Sequence, residues 1–246
     1  RVVQKALSAK DYFLLNGPPG TGKTSIVIKE LLKELHKDRS VNVLLLAYTN
    51  RAVDELCDAV NVSRDNNKIG RNFIRIGNPL SCSITYKSNL LADIIENETI
   101  KMEKDGARFS RESLAEIISD QKVFVSTIAS ISSKTDVFKL KKFDVVIIDE
   151  ASQILEPQIL SVLSHVDKFI LIGDHKQLPA IVLQDYKLSK IDLEPLKEIG
   201  LNNMNNSLFE RLYTSCEKSN VDYAFDMLSY QGRMHQEIAC FPNENF

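Results

Sequence analysis

The sequence predicts a doubly wound α/β domain, a mostly parallel sheet with helices on both faces, and three observations predict it. Short apolar runs recur along the chain, segments of helical periodicity separate them, and the runs lack the polar alternation of a half-exposed sheet. Five runs read as buried strands: residues 12–16 (YFLLN), 43–48 (VLLLAY), 123–126 (VFVS), 143–149 (FDVVIID) and 169–173 (FILIG).

The intervening segments follow in order. Residues 2–8 read as a helix ahead of the first strand. Residues 23–36 place Ile26, Val27, Leu31, Leu32 and Leu35 at helical spacing, and residues 52–60 repeat the pattern on a smaller scale. A further helix, residues 156–163, follows the fourth run. Residues 90–121 are charged and helix-prone with a break at Asp105 and Gly106, which predicts a helical hairpin set into the sheet domain, an insertion spanning 81–121. Residues 187–206 are polar and rich in Asn, and read as a surface excursion. The expected organisation is one domain over 1–246, cut at both ends, because the chain starts inside a helix and stops abruptly at Phe246.

Composition narrows the function classes. Apolar residues make up 43% and charged residues 26%, the values of an ordinary globular protein. A formal net charge of −2 announces no overall field for nucleic acid, although a local basic groove fits on a neutral protein. Cys57, Cys82, Cys216 and Cys240 form no CxxC pair, so they read as reduced thiols in the cytoplasm, or in the nucleus of a eukaryote, and not as a zinc site. No apolar run is long enough to span a bilayer and the N-terminus lacks the order of a signal peptide, so no membrane is expected.

The chemistry is concentrated after the first strand. Residues 17–24, Gly17-Pro18-Pro19-Gly20-Thr21-Gly22-Lys23-Thr24, fit GxxxxGK[ST] between a strand and a helix, the context a phosphate-binding loop requires. Glycines let backbone N–H groups wrap phosphate oxygens, and the helix N-terminus adds a favourable dipole. Lys23 is expected to reach the β- and γ-phosphates of ATP and the Thr24 hydroxyl to ligate Mg²⁺. Asp149 and Glu150 end the FDVVIID run; a carboxylate there is placed to hold Mg²⁺, and Glu150 to activate water as a general base. On its own that acidic pair reads equally well as a solvated strand cap.

Taken in order, further segments resemble the first motor domain of superfamily 1 helicases, in the 5′→3′ branch that includes nonsense-mediated-decay and Dna2-like helicases. GPPGTGKT at 17–24 is similar to motif I, AYTNRAVDEL at 47–56 to motif Ia, and STIAS at 126–130 to motif Ib. DEASQ at 149–153 is similar to motif II, GDHKQLPA at 173–180 to motif III, and QGRMHQ at 231–236 to motif IV; SLFERL at 207–212 is typical of the same branch. The resemblance implies a P-loop NTPase of the RecA-like fold that hydrolyses ATP while moving along single-stranded DNA or RNA. It also implies that Gln177 touches the γ-phosphate, that Asp174 orients the Mg²⁺ and water network, and that Arg233 clamps phosphate charge. Thr49, Asn50 and Arg51, with Ser126 and Thr127, are the implied nucleic-acid contacts, from hydroxyl, amide and backbone donors that grip phosphate and sugar. Helix N-capping by Thr49 or Asn50 is the other reading of those residues. Lys134, Lys139, Lys141 and Lys142 read as a solvated face more than a basic edge.

The chain departs from the family pattern in three respects. Motif IV usually carries an adenine-stacking aromatic where Gly232 stands, and Tyr230 or Tyr12 is left to replace it. The glutamine that reads the adenine edge falls just upstream of Arg1 by counting, and Gln4 is out of register. A second RecA-like domain, source of the arginine finger, finds no room in the sequence, so this polypeptide alone is expected to bind ATP–Mg²⁺, hydrolyse it slowly and unwind nothing. The alternative is a nucleotide-dependent switch or scaffold without helicase activity.

Overall fold

The structure is a computed structural model that describes residues 1–63, 73–177, 179–180, 182–219, 221–235, 237–238 and 240. Seven strands, β1 (Tyr12–Asn16), β2 (Val43–Ala47), β3 (Ile74–Ile76), β4 (Val123–Thr127), β5 (Val145–Ile148), β6 (Phe169–Gly173) and β7 (Phe225–Met227), form one sheet in the order β3-β4-β2-β5-β6-β1-β7. Every pairing between these strands is parallel, so each connection must cross a face of the sheet, and helices fill both faces.

On one face lie α1 (Val2–Ser8), α2 (Lys29–Leu35) and α3 (Asn50–Ser63). Ala6, Leu31, Leu32, Leu56 and Val60 from these helices meet Val43, Leu45 and Ala47 of β2 in one core. The opposite face is covered by α4 (Leu91–Lys104), α5 (Arg111–Asp120), α6 (Ile128–Ser132), α7 (Val137–Leu140), α8 (Glu156–Leu163) and, beyond the short α9 (Glu194–Glu198), α10 (Leu208–Lys218). Leu44 and Leu46 point into that second core beside Ile94, Ile118, Ile159 and Phe209, as the two-residue side-chain period of a strand demands. Fully burying one such side chain is worth about 1.5–3 kcal/mol, so the unbroken apolar runs drive both faces closed.

Two strands were not anticipated. β3 is only IRI, and its Arg75 is 1% exposed; the guanidinium pairs with Asp54 on α3 and donates to Ser81 O at 3.4 Å. β7, FDM, lies against β1 at the sheet margin. The expected helix at 23–36 is two elements: a wider π-type turn over Lys23–Ile28 runs into α2. Within 81–121, α4 and α5 connect β3 to β4, with Gly106 at φ 75 in the turn between them and Ser110 capping α5. The excursion at 187–206 is partly interior, because Ile191, Leu201 and Asn203 are buried. Lys141 is also buried and donates to Ser119 O at 2.6 Å, while Lys139 and Lys142 pair with Asp136 and Asp167, so these lysines form no basic edge. No helix of the described residues is long and apolar enough to cross a membrane.

Candidate functional site: a phosphate cleft at the strand ends

β1, β2, β5 and β6 end side by side, and the loops leaving them enclose a cleft of about 820 Å³. The loop after β1 is fastened at its start, where the Gly17 N–H donates to Gly173 O at the end of β6 (2.8 Å). Gly20 and Gly22 both hold φ at 80, a conformation that L side chains rarely adopt. A Cβ on Gly20 would also stand 2.6 Å from that of Arg233. Inside the loop the Thr21 hydroxyl donates to Pro18 O at 2.7 Å, and the Lys23 ammonium donates to Gly17 O. Burial lowers the Lys23 pKa, against the opposing pull of Asp149, Asp174 and Glu150.

The floor of the cleft is acidic. Thr24 Oγ1 donates to Asp149 Oδ2 at 2.5 Å, across a separation of 125 residues. Asp149 is 2% exposed; burial raises its pKa, while the bonds from Thr24 and from the Glu150 N–H to Oδ1 (2.9 Å) act to lower it. Glu150 is the one non-glycine residue with positive φ among those described, at φ 55 and ψ 33. Burial, then the Asp149 charge, then Glu55 raise its carboxyl above the ordinary range. The hydroxyl of Thr24 and the carboxylate of Asp149 are hard oxygen donors beside a phosphate loop, a set that fits Mg²⁺.

The other walls come from distant segments. Asp174 is buried, its N–H donates to Ser152 Oγ at 3.3 Å, and the Gln177 N–H closes the turn onto Asp174 O at 3.2 Å. On the opposite wall the Gln231 amide accepts from the N–H groups of Arg233 (2.9 Å) and Met234 (2.7 Å) and donates to Met234 O (2.9 Å). The Gly232 N–H then donates to Gly20 O at 2.9 Å, so this turn sits directly on the phosphate loop. Lys23, Thr24, Asp149, Glu150, Gln177 and Arg233 thus line one cleft. Ser152 and Gln231 were quoted within motifs but given no part, as was Asn16, whose Oδ1 accepts from the His175 N–H at 3.4 Å. An amide or hydroxyl beside a charged residue was the available signal.

Tyr230 lines the cleft and is 89% exposed; Tyr12 is stacked on Phe169 at the far end of β1 and lies outside it. Nothing stands within 4 Å of a Cβ built on Gly232.

The remaining sequence-predicted residues divide. Thr49, Asn50 and Arg51 are exposed at the end of β2, where Thr49 Oγ1 accepts from the Ala52 N–H at 3.1 Å and caps α3. Thr127 caps α6 through the Ser130 N–H at 3.1 Å. Ser126 is corrected: it is fully buried and its hydroxyl is spent on Ile76 O at 3.0 Å, so it has no face to offer a nucleic acid. Its position explains this, since helices cover both faces of the sheet and all five residues of β4 are buried.

A parallel sheet with helices on both faces, a glycine-rich phosphate loop after β1 and an acidic end to β5 define a P-loop nucleotide-binding domain. The sequence pattern described as "AAA domain" matches residues 1–105 and 91–185, and the chain belongs to that family, as a first motor domain of the superfamily 1, Dna2-like kind. It is 31% identical over 244 residues to "DNA replication ATP-dependent helicase/nuclease DNA2" of Xenopus laevis, covering 99% of this chain and 20% of that protein. It is 30% identical over 281 residues to "DNA polymerase alpha-associated DNA helicase A" of Schizosaccharomyces pombe, covering 100% of this chain and 38% of that one. The helicase/nuclease JHS1 of Arabidopsis thaliana is 33% identical over 214 residues, which are 86% of this chain and 13% of the relative. The chain therefore spans between about an eighth and two fifths of the length of these relatives.

Proposed function

We propose that the chain is the ATP-binding and ATP-hydrolysing motor domain of a DNA or RNA helicase or translocase, coupling hydrolysis to movement on single-stranded nucleic acid. One observation carries this: Thr24 and Asp149, in contact at 2.5 Å, lie in the cleft that Lys23, Glu150, Gln177 and Arg233 all line, which supports reading the two as the pair that would hold Mg²⁺.

Backbone N–H groups of residues 17–24 would cradle the phosphates. Thr24 and Asp149 would hold Mg²⁺, which supplies positive charge to phosphate oxygens when bound. Lys23 and Arg233 bring the protein's own charge to the same oxygens, Arg233 as a planar fork. Glu150, with its raised affinity for protons, accepts the proton of the attacking water. Gln177 contacts the γ-phosphate and registers its departure, a task suited to a side chain that both donates and accepts. Thr49, Asn50, Arg51 and Thr127 are the proposed strand contacts. A second RecA-like domain of the same full-length chain is the proposed partner. Its arginine finger accounts for about 10³–10⁵ in rate in related enzymes, so this domain alone is a slow ATPase without unwinding activity. The helices of 81–121 are then an accessory insertion.

The test is ATP turnover by the full-length protein with and without oligo-dT or oligo-U, alongside Lys23→Ala. Turnover that rises with the oligonucleotide and vanishes in the variant supports the motor. Nucleotide binding without turnover, unmoved by either oligonucleotide, supports a switch or scaffold instead.

A further inference from the structure

The SLFERL segment has no place in the chemistry above, yet the structure puts the helix it begins directly beneath one wall of the cleft. Ser207 caps α10 by accepting from the Glu210 N–H at 3.2 Å. Arg211 locks the helix to α8, donating from Nε and Nη2 to the Glu156 carboxylate at 2.8 and 2.5 Å. A Cβ on Gly173 would stand 3.0 Å from the Ser152 N and 3.3 Å from Phe209, so the bare glycine lets the end of β6 pack closely against both. One residue beyond the segment, the Tyr213 ring stacks on the imidazole of His175, with centroids 4.6 Å apart and planes at 20°. Tyr213 is 4% exposed and is itself wedged edge-on by Phe225 of β7 at 5.3 Å.

His175 occupies the turn between Asp174 and Gln177. Its N–H reaches Asn16 Oδ1, the last residue before the phosphate loop, at 3.4 Å. Its buried Nδ1 has no hydrogen-bond partner among the described residues, while its face is covered by the Tyr213 ring. Leaving such an atom unpaired is unfavourable by about 1–3 kcal/mol, and an aromatic stack of this kind contributes about 0.5–1.5 kcal/mol in the other direction. Removing the stack frees the ring to swing toward water and carry the turn with it.

We infer that Tyr213 is a positioning residue: through its stack on His175 it holds the 174–177 turn in register with the phosphate loop, and so fixes where Gln177 stands. This rests on the reading of Gln177 as a γ-phosphate contact. It gives α10 a role in turnover although none of its residues lines the cleft.

The test compares Tyr213→Leu, Tyr213→Phe and Cys216→Ala in the full-length protein, the last as a core truncation on the same buried face of α10. Amide hydrogen exchange over residues 174–177 and steady-state ATP turnover are measured for each. In Tyr213→Leu, exchange at 174–177 accelerates and kcat falls about ten- to a hundredfold, with KM for ATP unchanged. Tyr213→Phe gives up the hydroxyl's interactions with Glu217 and Asn16 but keeps the ring, so exchange at 174–177 stays slow and kcat falls far less than in Tyr213→Leu, and Cys216→Ala loses stability without either effect. Unchanged exchange in Tyr213→Leu overturns the inference, as do faster exchange with full kcat and an equal kcat loss in Tyr213→Phe. If the wild-type protein itself shows no turnover, the proposed function fails, and the exchange comparison still decides whether Tyr213 holds the turn.

Discussion

Replacing Glu150 by glycine should make the protein more stable while removing its turnover. Glu150 sits at φ 55 and ψ 33, where an L side chain crowds its own carbonyl. That conformation disfavours a non-glycine residue by about 1–2 kcal/mol, and the freedom glycine loses on folding returns about 0.5–1 kcal/mol of it. A second contribution is electrostatic, since burial and the neighbouring Asp149 raise the Glu150 carboxyl. A carboxyl whose folded pKa exceeds its unfolded value binds protons more tightly in the native state, so stability falls as pH rises through that window. Glu150→Ala removes only the charge, whereas Glu150→Gly removes the charge and the backbone strain. The Gly-minus-Ala difference should therefore be up to about 1.5 kcal/mol, at about 2–4 °C in Tm per kcal/mol for a chain of this size, and independent of pH. The Ala-minus-wild-type difference should shrink as pH falls toward the ordinary carboxylate range. Thermal unfolding of the three proteins at pH 7 and pH 5, without nucleotide, measures both. A Gly variant less stable than the Ala variant would refute the strain argument.

Other outcomes follow from the same geometry. Gly20→Ala meets both an unfavourable φ of 80 and the Arg233 Cβ, so nucleotide binding measured by fluorescent-analogue titration should fall at least tenfold, about 1.4 kcal/mol. Gly232→Tyr enters open space and restores an aromatic face; ATP should bind about two- to tenfold tighter for a stacking gain of about 0.5–1.5 kcal/mol, by calorimetry on the Glu150→Gln background. Arg211→Met strands the Glu156 carboxylate, 2% exposed, and should cost about 3–5 kcal/mol in chemical denaturation. Because Glu150 must be ionised to accept a proton, the acid limb of kcat/KM for ATP should lie above 4.5, its ordinary value, and vanish in Glu150→Gln.

The strands were legible where burial on both faces forced unbroken apolar runs, as in VLLLA and VVII. β3 and β7 escaped notice because each is three residues long and is interrupted by a charge, Arg75 or Asp226. Arg75 reads as a surface residue until Asp54, 21 positions away in sequence, is brought beside it. The phosphate loop could be read from its glycines, since their permissive φ is a property of the residues themselves. Glu150 at positive φ could not, because nothing in DEAS departs from ordinary backbone chemistry. Ser126 is buried because β4 is covered on both faces, so a hydroxyl of either parity is enclosed there. The Tyr213–His175 stack was out of reach, since only the fold brings those two rings together.

The helices α4 and α5 hang between β3 and β4, at the sheet margin opposite β7. Only β2 stands between β4 and the consecutive strands β5, β6 and β1, whose ends carry Asp149, Asp174 and the phosphate loop. Changes confined to the link between β3 and β4 leave the succession β5-β6-β1, and the cleft that it carries, in place.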